Sequence, residues 1–120
     1  MNQEITKEDA NELYVLWTSG DRENALSMAF MYTHNAKLKG WWEDVTLIVW
    51  GASTKLLAQD EELQARIRQM IDAGVDVVAC LACAEMFGAT KLLGDLGIEV
   101  KPMGYPLTQL LKAGKKVLSV

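Results

Sequence analysis

From residue 13 onward, short apolar runs alternate with longer stretches in which apolar residues return every three or four positions. The first run, LYVLW (13–17), is β-prone and gives way to the turn residues TSGD. Ala25, Ala29, Tyr32 and Ala36 then fall at helical spacing through RENALSMAFMYTHNAKLK (22–39), and Gly40 closes the segment. DVTLIVW (44–50) predicts a second strand, apolar almost without a break, opened by the adjacent pair Trp41 and Trp42. GASTKLLAQD (51–60) reads as a long connection with a helical turn over 55–58.

The clearest helix is DEELQARIRQMIDAG (60–74). Asp60 suits the N-cap, and Glu61 and Glu62 suit the positive end of the helix dipole. Leu63, Ile67, Met70 and Ile71 make one apolar stripe, and Gly74 is placed to end the helix in a left-handed cap. VDVVA (75–79) is a third strand and LACAEMFGATKLLGDL (81–96) a helical region broken near Gly88. IEVK (98–101) is a fourth strand and PMGYP (102–106) a turn. LTQLLKAG (107–114) is a last helix, with Pro106 at a favourable first-turn position, and KKVLSV (115–120) a fifth strand.

Five β-prone runs alternating with helices, the central ones apolar on both faces, predict a mainly parallel sheet covered by helices on each side. A chain of 120 residues fits one domain, preceded by a polar segment over 1–12. Ligands in such sheets gather beyond the carboxyl ends of the strands. Those ends carry TSGD, GAST, Cys80 and PMGYP. Ser19 and Gly20 in the first turn, and Gly51 and Ser53 in the second, are candidate substrate-binding residues because such turns offer backbone amides to an anion. Tyr105 joins them as a hydroxyl after the fourth strand. Ser19 and Ser53 lack the setting of a nucleophilic serine, and neither a dinucleotide fingerprint nor a P-loop occurs.

Composition narrows the chemistry. A net charge of −4, with basic residues scattered apart from Lys115 and Lys116, argues against a nucleic-acid partner. No run of about 20 apolar residues predicts a membrane span. The polar, acidic start MNQEITKEDANE lacks the features of a signal peptide, which predicts a cytoplasmic protein with reduced thiols.

In that setting the two cysteines, Cys80 and Cys83, stand out at the junction of the third strand and its helix. Unpaired amides and the dipole at a helix start stabilise a thiolate, so Cys80 is a candidate nucleophile. Glu85, one turn on, would oppose that ionisation if it faced the same way. Cys83 at i+3 shares the face of Cys80 and permits either a reversible disulfide or simple packing as a small apolar residue. With one histidine and no second C-x-x-C, the ligand count predicts no metal and no cofactor. His34, late in the first helix, comes from the wrong end of that helix to act as a base for Cys80.

The C-x-A-x-A-x-x-x-G arrangement of Cys80, Ala82, Ala84 and Gly88 resembles the cysteine region of the DsrE/DsrF-like (YchN-like) family. So do the TSGD turn with its alanine-rich helix, DVTLIVWGASTKLL, EELQARIRQMIDAGVDVVAC and LGIEVKPMG. The resemblance implies a three-layer α/β/α domain with a five-stranded parallel sheet, assembled as trimers or hexamers. In its sulfur-relay members the cysteine matching Cys80 takes up sulfur as a persulfide and hands it to the next carrier. That implies sulfur-donor and sulfur-acceptor proteins as partners. Cys83 lies outside the shared pattern and is read as a resolving thiol. Two other readings stay open: an oligomeric binding or regulatory module with both cysteines structural, and a C-x-x-C dithiol redox protein. Trp41 and Trp42 favour self-association, because an adjacent pair on a strand cannot both face the core.

Overall fold

The computed structural model describes residues 11–120, so all but the last two residues of the polar opening segment lie outside it. The strands are β1 (Glu12–Trp17), β2 (Asp44–Val49), β3 (Asp76–Cys80), β4 (Glu99–Lys101) and β5 (Lys116–Ser119). The helices are α1 (22–38), α2 (Ala52–Gln59), α3 (Glu61–Asp72), α4 (Leu81–Met86), α5 (Thr90–Asp95) and α6 (Gly104–Lys112). All strands are parallel, in the order β4-β3-β2-β1-β5. This is a three-layer α/β/α fold.

The layers are unequal, and the reason is handedness. The chain steps from β1 to β4 in one direction, so right-handed crossovers stack α1 to α5 on one face. The link from β4 to β5 runs back across the sheet, and the same handedness carries α6 to the other face. The thick side buries Leu13, Val15 and Trp17 with Val45, Leu47 and Val49 under α1 and α3. The thin side gathers Ile48, Val78, Cys80, Cys83 and Met103, flanked by the half-buried Leu16, Trp50 and Leu110. No residue of α6 is fully buried.

On the thick side α1 offers Ala25, Ala29 and Ala36, whose small side chains let the helix approach the strands, and Phe30. The Phe30 ring meets Trp17 edge-on, with centroids 4.8 Å apart and planes at 72°. Removing so large a buried ring would cost roughly 3–5 kcal/mol. The alanine spacing predicts a regular helix, but the stretch Ala25–Phe30 is wound as a wider π-helix. The extra residue per turn lets Ala29 and Phe30, neighbours in sequence, both face the core.

Other boundaries differ from the sequence reading as well. The connection after β2 is a full helix, α2, because Ser53, Thr54 and Leu57 form a buried face. Trp41 and Trp42 precede β2 in a bend instead of opening it. Trp41 is 54% exposed, while the half-buried Trp42 donates from Nε1 to the Tyr32 hydroxyl at 3.1 Å. Pro106 stands in the first turn of α6 as its position predicts, and Tyr105 joins it there instead of in a separate turn before the helix.

Asp60 caps α3 as its position predicts: its Oδ1 accepts from the Leu63 amide at 3.1 Å. It also accepts from Arg22 Nε at 2.6 Å, and the same guanidinium contacts Glu62, so the starts of α1 and α3 are tied together. The Arg22 guanidinium, helped by the Leu63 amide, holds the Asp60 carboxyl below its ordinary value. Such a group contributes stability above its unfolded value and loses it as pH falls through the folded one. Asp60→Asn keeps a capping oxygen but loses the ion pair, and Asp60→Ala loses both. Urea titrations at neutral pH should show Asp60→Ala destabilised by about 1 kcal/mol or somewhat more. The gap between wild type and Asp60→Asn should close as pH drops below about 4.

Candidate functional site

β3 ends at Cys80 (φ −70°, ψ 121°), which is also the N-cap of α4. Strand alternation turns its side chain to the thin face, among Ile48, Val78 and Met103, and leaves it 5% exposed. Cys83, one turn into α4, is 9% exposed. Both thiols are free, and they sit together in one apolar cluster.

The parallel pairing of β2 with β3 sets Ile48 opposite Val78 and Val49 opposite Ala79. The chain therefore leaves β2 level with the cysteine junction. There Gly51 caps α2 with φ 73° and ψ −138°, a conformation that side-chain-bearing residues rarely adopt. This conformation aims the Gly51 amide at the neighbouring element, where its N–H donates to Cys83 Sγ at 3.3 Å. The expectation that amides at the start of the cysteine's own helix would serve Cys80 is corrected here. Cys80 makes no side-chain cap bond, and the amide donor on the pair comes from α2 and reaches Cys83.

The electrostatics of Cys83 follow from three opposed influences. Burial pushes its thiol above the ordinary value of 9.0, the Gly51 N–H pulls it back, and the adjoining Cys80 pushes it up further. Burial prevails, so Cys83 holds its proton at neutral pH. Glu85 is exposed and is not among the groups that act on Cys83.

The remaining sequence candidates divide. Gly51 meets Cys83 directly. Ser19 and Gly20 form the adjoining loop: Ser19 Oγ accepts from the Asp21 amide at 3.0 Å, and a Cβ on Gly20 would stand 3.1 Å from that of Ala52. Ser53 is fully buried; its hydroxyl donates to the Trp17 carbonyl at 2.6 Å and accepts from the Trp50 amide at 3.2 Å. Its bonding capacity goes into tying the ends of β1 and β2 together. Tyr105 is 72% exposed at the start of α6, with its ring in solvent. His34 borders a small cavity between α1 and α3 with Phe30, Arg66 and Met70.

Sequence reasoning missed Trp50, Met103 and Ile48 as the walls around Cys80. The pairing of consecutive strands could have revealed Ile48 and Trp50, but no local signal marks Met103. Met103 and Ile48 also bound a larger cavity of about 700 Å³ between α6 and the sheet. Ile48, Val78 and Met103 line both, and Tyr14, Asp76 and Glu99 also line the cavity. Burial, the Glu12 hydrogen bond and nearby carboxylates raise the Tyr14 hydroxyl above its ordinary value. Among the described residues no cluster of His, Cys, Asp or Glu is arranged to hold a metal ion, and no helix is long and apolar enough to cross a membrane.

A parallel three-layer sheet with a thiol pair at the carboxyl end of its third strand defines a class of small α/β proteins. The chain belongs to the DsrE/DsrF-like family, whose pattern it matches over residues 12–120. It is similar to a solved structure titled as a conserved protein of unknown function from Bacteroides thetaiotaomicron. The two share 40% identity with a TM-score of 0.90, over 98% of this chain and all of that one. No curated protein matches significantly.

Because the Cys83 thiol is raised in the fold, its contribution to stability is complete below the unfolded value and lost as pH rises through the folded one. Chemical denaturation between neutral pH and about pH 10 should show wild type losing more stability than Cys83→Ala over that window.

Proposed function

We propose that this DsrE/DsrF-like protein is a sulfur carrier that takes up sulfane sulfur on Cys80. The Cys80 thiolate attacks the outer sulfur of a donor persulfide, the donor leaves as a thiolate, and the protein keeps a Cys80 persulfide. An acceptor thiolate then attacks that outer sulfur and regenerates the Cys80 thiolate. The observation that carries this reading is the clustering of two free thiols at the carboxyl edge of the sheet, with a backbone amide directed at one of them. Family membership supports it. Donor and acceptor proteins are its partners, and a reducing cytoplasm keeps the pair as thiols.

The 5% exposure of Cys80 favours a second reading, in which both thiols pack the thin layer of a non-catalytic module. The carrier reading requires Met103 or Trp50 to yield so that a donor sulfur can enter. Incubation with a persulfide donor, followed by intact-mass and peptide mapping, separates the two. The carrier gains the mass of one sulfur atom on Cys80 and loses that gain in Cys80→Ser. A native protein that takes up no sulfur, while its denatured form does, is the packing module.

Self-association is part of the proposal. Among the described residues the thin face is covered by α6 alone, and Tyr105 and Leu111 on that helix remain exposed. A second copy against this face would bury them, consistent with the trimers or hexamers that the family likeness implies. Light scattering should give a mass of several chains for wild type and a smaller one for Leu111→Glu. A monomeric wild type would remove this part of the reading.

A further inference from the structure

The Gly51 amide is directed at one sulfur of the pair, and the backbone conformation that directs it strongly favours glycine. We propose that Gly51 is a positioning residue: its N–H stabilises negative charge on Cys83 and thereby makes Cys83 the attacking sulfur against a persulfide carried by Cys80. This rests on the carrier reading for its chemical consequence, but not for its physical basis.

Three observations combine. The donor–sulfur distance of 3.3 Å is a hydrogen bond for the large, diffuse acceptor that sulfur is. The bond gains strength when the acceptor becomes a thiolate, as any hydrogen bond does when its acceptor takes a full charge. It also lies in a nearly dry layer, where competing water is scarce. Among the described residues no charged side chain does the same work. Lys55 on α2 and Glu85 on α4 are exposed, Asp76 is exposed at the far end of β3, and Lys101 on β4 pairs with Glu99 at 3.5 Å. Cys80 is the titratable neighbour that acts on Cys83.

The consequence is a defined resolving step. The Cys83 thiolate attacks Cys80 Sγ; a bond forms between the two Sγ atoms, and the bond from Cys80 Sγ to the outer sulfur breaks. The outer sulfur leaves as hydrosulfide with the bonding pair and its own proton. The two cysteine sulfurs are oxidised to a disulfide while the sulfane sulfur is reduced to sulfide, and a dithiol reductant then restores the pair. Gly51 touches neither the outer sulfur nor the leaving group; it acts through Cys83.

The test is a pH titration of the full chain labelled with ¹⁵N and with ¹³C at cysteine Cβ, followed by NMR. In wild type the Gly51 amide and the Cys83 Cβ should share one inflection. The amide inflection should vanish in Cys83→Ser and persist in Cys80→Ser. In Gly51→Ala the Cys83 inflection should move up by about one pH unit, a tenfold change in the thiolate fraction. A Cβ at position 51 has room, its nearest neighbour being the Thr18 carbonyl oxygen at 3.9 Å, so the substitution strains the backbone without a clash. Should that variant not fold, the wild-type and serine titrations still decide the matter. A Gly51 amide that stays silent while Cys83 ionises, or a Cys83 inflection unmoved in a folded Gly51→Ala, overturns the proposal.

Sulfide release from the persulfidated protein supplies the functional arm. Gly51→Ala should release it about tenfold more slowly near neutral pH and recover as pH rises, a displaced profile that a merely structural role would not give. An unchanged profile counts against the proposal. If no persulfide forms at all, the carrier reading falls, while the shared inflection still establishes the Gly51–Cys83 bond.

Discussion

The parallel pairing of β2 with β3 is the constraint on which the site depends. It places Val49 beside Ala79, so two chain segments leave the sheet at one level. One carries Gly51 into α2 and the other carries Cys80 and Cys83 into α4. Shifting the register by one residue would turn Cys80 to the thick face and draw the Gly51 amide away from Cys83. The buried hydroxyl of Ser53 reinforces the level on the other side by holding the ends of β1 and β2 together. A residue that first drew notice as a ligand for anions thus serves the geometry of the sheet edge.

Two effects of opposite sign meet at Cys83. Removing a thiol from water disfavours its ionised form, and an amide directed at the sulfur favours it. Burial prevails at rest, which keeps Cys83 protonated. The amide bond matters most once charge develops, because it strengthens with the charge while the desolvation has already been incurred. A dry dithiol with one fixed backbone donor therefore discriminates between its two sulfurs.

The inequality of the two helical layers has a similar origin in topology. Four strands laid down in one direction and a fifth laid on the opposite edge leave one helix to shield half of the sheet. That thin layer holds both cysteines and adjoins the cavity beneath α6. With few groups over them, Ile48, Val78 and Met103 form at once the floor of the cavity and the wall around Cys80.

Alternating apolar runs and helical spacing were enough to specify five strands, their parallel sense and the position of Cys80 at a strand end, because these follow from local pattern and crossover handedness. Asp60 as a cap was legible for the same reason: its partner, Leu63, lies three residues away. The π-wound stretch of α1, the length of α2 and the start of α6 were not, since each is set by which side chains the sheet accepts. The donor on Cys83, the roles of Ser53 and Met103, and the burial of both thiols were decided by tertiary structure alone. They depend on contacts between segments some 20 to 40 residues apart, a separation at which neither periodicity nor a short motif carries information.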